Sequence, residues 1–264
     1  MKSFYSKIKV SFFLYILIFI SLISGLFRDV LAFLIIIVVH EIGHIITSKM
    51  FNWKIKCVHF YICGGFIEYD NKIDKPFKEE FLVSISGILF QSIFFLLCTI
   101  LNKYGIIDNS NLLIIKKYHL SILIFNLIPI IPLDGSKIVN VFFNMFLPYK
   151  KSLYLTFLLS MLCFLLFIYI IFFKNYPLNV SIIMVLSFIL NKLYSYLFDI
   201  PYLYNTFLLE RFLNKKRYKK NSYIKSMDLK MLKRQRNNYF YNGKNYVSEF
   251  IILAKRFDLL RYLW

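Results

Sequence analysis

The 264-residue sequence is short of charge: Asp, Glu, Lys and Arg make up 18% of it, against roughly 25% in a soluble domain. Apolar residues, at 59%, fill the gap, which excludes both a disordered chain and an ordinary soluble enzyme. Cysteine is scarce as well. Cys57, Cys63, Cys98 and Cys163 show no CxxC spacing, and the last two lie in apolar runs, where a free thiol behaves as a small hydrophobe. That excludes a disulfide scaffold, and the sequence asks for no cysteine-based metal site. The apolar stretches lack period-two alternation, which excludes a transmembrane β-barrel. No internal repeat is present. Acidic residues are few, 14 against 33 lysines and arginines, for a net charge of +19. The excess is not a nucleic-acid face, because 15 of the basic residues and only four of the acidic ones fall between Pro201 and Trp264. Such a segment suits the anionic cytoplasmic leaflet of a membrane, and no nucleic-acid partner is expected.

What is there is a set of continuous apolar blocks, each of a length that crosses a hydrocarbon core as helix. They are Val10 to Leu26, Leu31 to Met50, Phe81 to Leu101, His119 to Leu147, Ser152 to Phe173 and Leu178 to Phe198. The expected fold is an all-α polytopic membrane protein of about six transmembrane helices. Residues 1–200 make up the membrane domain, with its core at about 30–150, and residues 201–264 are a basic cytoplasmic tail. The first block is longer than a signal-peptide core and is followed at once by a second, which argues for a span. Between the second and third, Lys54 to Tyr69 predicts a small β-hairpin turning on Gly64-Gly65. Asn102 to Tyr118 has the mixed polarity of a loop. The fourth block holds Asn126, Pro129, Pro132, Asp134 and Gly135, which no regular helix accommodates throughout. In a membrane such a break survives only where protein or a water-filled cavity satisfies the freed backbone groups.

Orientation follows from the flanking basic residues. With the N-terminus inside, the inner set is three N-terminal lysines, five in residues 51–80, Lys150, Lys151 and the 15 of the tail. The outer set is Arg28, Lys103, Lys116, Lys117 and Lys174. Both termini are therefore expected in the cytoplasm.

Chemistry is concentrated in His40-Glu41-Ile42-Gly43-His44, an HExxH motif. Residues i and i+4 of a helix share a face, so both imidazoles reach one Zn²⁺, with Glu41 beside them to take a proton from water. The alternative is a coincidental pair of helix-facing histidines. Two imidazoles and a carboxylate left unpaired in an apolar run would cost several kcal/mol, and a metal removes that cost. A catalytic zinc wants three protein ligands. Asp134 is the only acidic residue between His119 and Phe198, and a helix-capping role is compatible with ligation. His59 reads as a surface side chain of the hairpin and His119 as an interfacial residue opening the fourth block.

The two motifs together resemble the site-2 protease family of intramembrane zinc metalloproteases. The resemblance rests on His40-Glu41-x-x-His44 and on Asn126-Leu-Ile-Pro129-Ile-Ile-Pro132-Leu-Asp134-Gly135, and it covers residues 30–150 well. Within the family the chain is similar to the bacterial branch of stage IV sporulation protein FB, whose Gly-Gly hairpin matches Cys63-Gly64-Gly65-Phe66. The third block's Gly87-Ile88-Leu89-Phe90-Gln91 is similar to a family segment in which Pro is usual at the place of Ile88. Ser136 stands where a second Gly is frequent, and a basic, Asn- and Tyr-rich stretch of about sixty residues follows Pro201 where that branch commonly carries a nucleotide-sensing domain. The resemblance implies zinc held by His40, His44 and Asp134, with Glu41 as general base. It implies an unwound substrate segment bound near Asn126, Pro129 and Pro132, and strand addition at Gly64 and Gly65. The expected partners are the lipid bilayer, a membrane-associated protein substrate of the sigma-factor-precursor kind and a regulatory membrane protein. A metal transporter or a catalytically silent binding homologue is the competing class. Ionisable residues are missing from spans one and five, which argues against transport, and no motif residue is lost, which argues against silence.

Overall fold

The computed structural model describes residues 8–61, 64–69, 74–173, 179–214 and 216–258. They form two compact units. The first holds residues up to the β-hairpin, then Lys78–Ile128 and Leu133–Gly135; the second holds the connector that ends at Phe77, Pro129–Pro132, and the chain from Ser136 onward.

In the first unit, helix α1 (Phe12–Ile23) leads into α2 (Phe27–Met50), the helix of the HExxH motif. At about 1.5 Å per residue, α2 is long enough to cross a bilayer core of about 30 Å. Its polarity is inverted relative to a soluble helix. Leu31, Ile35, Val38, Ile42 and Ile46 form an exposed apolar stripe, whereas His40, Glu41, His44 and Ser48 are buried. Helix α3 (Phe77–Lys103) and helix α4 (Asn109–Leu127) complete the bundle. Ile36 and Ile37 of α2 pack with Ile122 of α4, flanked by Phe33, Phe94, Ile115 and Tyr118. The Tyr118 hydroxyl donates to Asp29 at 2.9 Å.

A three-stranded sheet sits beside these helices. Strand β1 (Ile8–Val10) runs parallel to β2 (Ile55–Tyr61), which pairs antiparallel with β3 (Gly64–Tyr69). The hairpin is as expected, but its turn is not. Tyr61 pairs with Gly64 and Phe60 with Gly65, so the two glycines are the first residues of β3. Residues 62–63, Cys63 included, lie outside the described residues. Trp53 secures the base of the hairpin, donating to Glu79 at 2.9 Å and meeting Tyr69 edge-on at 5.2 Å.

The fourth apolar block and the loop before it also differ from the sequence reading. Residues 109–118 are helical, because Lys116 and Lys117 stay exposed on α4 and Lys117 reaches Asp29 at 3.6 Å. The helix ends at Leu127, and α5 (Asp134–Phe146) begins at the aspartate after the Pro129 and Pro132 break. In all, four described helices are long and apolar enough to cross a membrane: α2, α3, α6 (Tyr149–Phe173) and α7 (Val180–Leu213).

In the second unit, α7 continues through Pro201, well past the expected end of the sixth block. The reason is packing. Ile200, Tyr204, Phe207 and Leu208 of α7 join Tyr149 and Leu153 of α6 in a buried cluster with Ile224, Leu232, Phe240 and Leu253. Full burial of such a side chain stabilises by about 1.5–3 kcal/mol. The last four belong to a folded C-terminal segment. Strand β4 (Asn221–Ile224) is parallel to β5 (Asn237–Tyr241), β6 (Tyr246–Ser248) is antiparallel to β5, and helix α8 (Glu249–Asp258) follows. Arg211 and Asp74, both buried, pair at 3.1 Å, and Arg211 also meets Glu249 at 2.8 Å. The Tyr218 hydroxyl donates to Asp74; burial first, then this carboxylate, pushes the phenol well above its ordinary pKa.

Candidate metal centre

His40 and His44 stand one turn apart on the buried face of α2, with their Nε2 atoms 3.1 Å from each other. Asp134, at the first turn of α5, places Oδ2 at 2.9 Å from both nitrogens. All three residues are buried.

The surrounding hydrogen bonds decide what these atoms are. His44 Nδ1 lies 2.6 Å from the Val83 carbonyl, which can only accept, so Nδ1 carries the proton. The Gln91 amide nitrogen donates to the His119 carbonyl at 2.9 Å, which turns Gln91 Oε1 toward His40 Nδ1 at 3.1 Å. His40 therefore also carries its proton on Nδ1. With the proton on Nδ1, each imidazole turns its Nε2 toward the Asp134 carboxylate. Donor atoms converging so closely in a buried space repel one another unless a proton or a metal cation lies among them. Zinc fits the donor set. Ligands about 2.0–2.1 Å from one tetrahedral ion lie about 3.3 Å apart, close to the 2.9–3.1 Å found here.

A second ring of contacts is formed by Gln91, His119 and Gly87, none of which the sequence places at the site. Gln91 is fully buried in α3, and its amide nitrogen also lies 3.3 Å from His119 Nδ1. The His119 ring stacks on Phe95 at 4.6 Å. The expectation of an interfacial His119 is thus corrected: it is buried and braces the glutamine that orients His40. A polar Gln in an apolar run was the available signal, since such a residue is costly without a partner. Gly87, on the same helix, faces the histidines directly. A Cβ there would lie 2.4 Å from His44 Nε2 and 2.6 Å from His40 Nε2, so any side chain would occupy the ligand space.

Glu41 is buried beside the ligands, and β3 runs against it. A Cβ on Gly65 would come within 2.3 Å of Glu41 Cγ and Cδ, so only glycine allows the strand so close to the carboxylate. Gly64 precedes it in β3. Asn126, half-buried near the end of α4, donates to the Ile122 carbonyl of its own helix at 3.1 Å. Pro129 and Pro132 fall in the second unit, where the Pro129 carbonyl accepts from the Ser160 hydroxyl at 3.0 Å.

Residues 29–117 match the profile of Peptidase family M50, a stretch that includes HExxH, the hairpin and Gln91 and ends before Asp134. The chain is 34% identical over 212 residues to stage IV sporulation protein FB of Bacillus subtilis, across 80% of this chain and 73% of that protein. It is 29% identical over 154 residues to a zinc metalloprotease of Methanocaldococcus jannaschii, across 55% of this chain and 44% of the relative. Its fold is similar to the solved structure of the site-2 protease from M. jannaschii, with a TM-score of 0.55 and 24% identity, over 72% of this chain and 90% of that one.

Proposed function

The chain belongs to peptidase family M50, the site-2 type zinc metalloproteases of membranes, and we propose that it cleaves a membrane-associated protein near the cytoplasmic face. The observation that carries this reading is the convergence of Asp134 of α5 with His40 and His44, beside a buried Glu41, on a helix otherwise suited to lipid.

In this reading His40, His44 and Asp134 hold the zinc, and Gln91 and the Val83 carbonyl keep both imidazoles in the ligating tautomer. Bound there, zinc supplies Lewis acidity for peptide hydrolysis. Glu41 takes one proton from the attacking water and delivers it to the departing nitrogen, and the second proton of the water follows to the same nitrogen, so that water and a peptide bond become a carboxylate and an ammonium. The substrate must be extended, because a helix ties up the carbonyl under attack. Strand β3, which opens with Gly64, is an edge of its sheet and carries Gly65 past Glu41, which supports strand addition at Gly64 and Gly65 as the way the substrate is held. Asn126, Pro129 and Pro132 are assigned to the substrate path at the break between α4 and α5.

Four helices are long and apolar enough to cross a membrane; we assign two further crossings to the first apolar block, which holds α1, and to the fourth, which holds the α4–α5 break, and the basic flanks support both termini in the cytoplasm. Similarity to a sporulation protein supports a developmental substrate, of the sigma-factor-precursor kind, and control by another membrane protein. The test is to express Glu41→Gln in the native cell and identify which membrane-associated protein accumulates uncut. Accumulation of one precursor that the wild-type chain processes supports the reading. An unchanged membrane proteome contradicts it.

A further inference from the structure

Outside the HExxH site, the described residues bring together one more set of metal-ligating side chains, on the β2–β3 hairpin. Alternation along β2 puts Cys57 and His59 on one face, and the strand register sets Glu68 opposite Cys57. Cys57 Sγ lies 3.1 Å from His59 Nε2 and 3.2 Å from Glu68 Oε2, and His59 Nε2 lies 3.8 Å from Glu68 Oε1. The thiol is buried, while the His59 and Glu68 side chains are 19% and 39% exposed, which leaves an ion a path from solvent.

We propose that Cys57, His59 and Glu68 form a second binding site, for a divalent cation of the zinc class. The donors are one sulfur, one imidazole nitrogen and one carboxylate oxygen, all within 4.8 Å of one another and all of types that zinc accepts. Binding displaces the Cys57 thiol proton to solvent. The resulting thiolate and the Glu68 carboxylate then balance the two positive charges of the ion, with His59 neutral. Lys56 Nζ, now 3.7 Å from Glu68 Oε2 and mostly exposed, is the cation that would be displaced from that oxygen. The ion would staple β2 to β3 at the register shift between Ile55 and Cys57, three residues from the Gly65 that faces Glu41. With three protein ligands, a fourth position is left to water.

The metal-stripped full-length protein, titrated with Co²⁺, tests this independently of proteolysis. A cobalt–thiolate bond absorbs strongly in the near ultraviolet, and the His40, His44 and Asp134 site contains no sulfur. The band is expected in the wild type and in the His40→Ala, His44→Ala double variant, and is expected to vanish in Cys57→Ser. Zinc content should be two per chain in the wild type and one in the double variant. No band in the wild type, or a band surviving in Cys57→Ser, overturns the proposal. If Cys57→Ser does not fold, His59→Asn and Glu68→Gln keep the thiol and decide the matter. Each should weaken Co²⁺ binding by more than about tenfold, the lower end of what even an outer-shell change costs, and unchanged affinity in both overturns the site.

Discussion

Gln91 determines which nitrogen of His40 faces His44 and Asp134, yet it touches neither of them. Replacing it with leucine removes the acceptor for His40 Nδ1–H and frees the ring to turn or change tautomer. Zinc affinity at the HExxH site should fall about 10–100-fold, read by competition with a chelator, while the helices remain folded because leucine suits the apolar run. Affinity equal to the wild type would show that the tautomer is set elsewhere. At this scale the sequence revealed the inner ring and concealed the outer one. His40, Glu41 and His44 lie on one helix, where spacing alone predicts a shared face, and Asp134 stood out as a lone carboxylate in a broken apolar block. Gln91 and His119 meet across two helices, so nothing in their sequence separation signals the contact. Gly87 is required for a steric reason that only the packed ligand rings reveal.

At the scale of elements, the hairpin shows where turn chemistry misleads. Gly64-Gly65 has the composition of a two-residue turn, but both glycines pair within β3, and at Gly65 the strand passes Glu41 where a Cβ would collide with it. Gly65→Val therefore suits strand propensity and should still abolish cleavage by displacing Glu41, with zinc retained on His40, His44 and Asp134. The expected loss is about 10²–10⁴-fold, that of a lost general base, measured as cleavage rate beside zinc content. Full activity in Gly65→Val would separate the strand from the chemistry. The extent of α4 was hidden by Lys116 and Lys117, whose charges resemble a loop until the helix turns them outward. The break before α5 was legible, because two prolines and a glycine leave little choice.

For the whole molecule, the continuous apolar blocks were the strongest signal, and four of them stand as long apolar helices. The folded segment after α7 was concealed by its basic composition. Yet the buried and exposed residues of β4 alternate, and Phe240 and Leu232 are fully buried against α7. Orientation is the property of the whole chain that the proposed chemistry needs. Single cysteines at Lys54→Cys and Lys150→Cys, above the background of the native thiols, should both react with a reagent confined to the cytoplasm. Labelling of either only from the opposite side would invert the topology and move the expected cleavage to the other face.

The difference between two variants, measured for zinc content and for cleavage of the same precursor, separates metal binding from proton transfer most directly. Glu41→Gln leaves all three ligands in place and should keep its zinc while cutting about 10²–10⁴-fold more slowly. Asp134→Asn offers a neutral amide where a carboxylate bound, and should lose one equivalent of zinc together with activity. A Glu41→Gln enzyme that cleaves at the wild-type rate, or an Asp134→Asn protein with its full zinc content, would contradict the assignment of these residues.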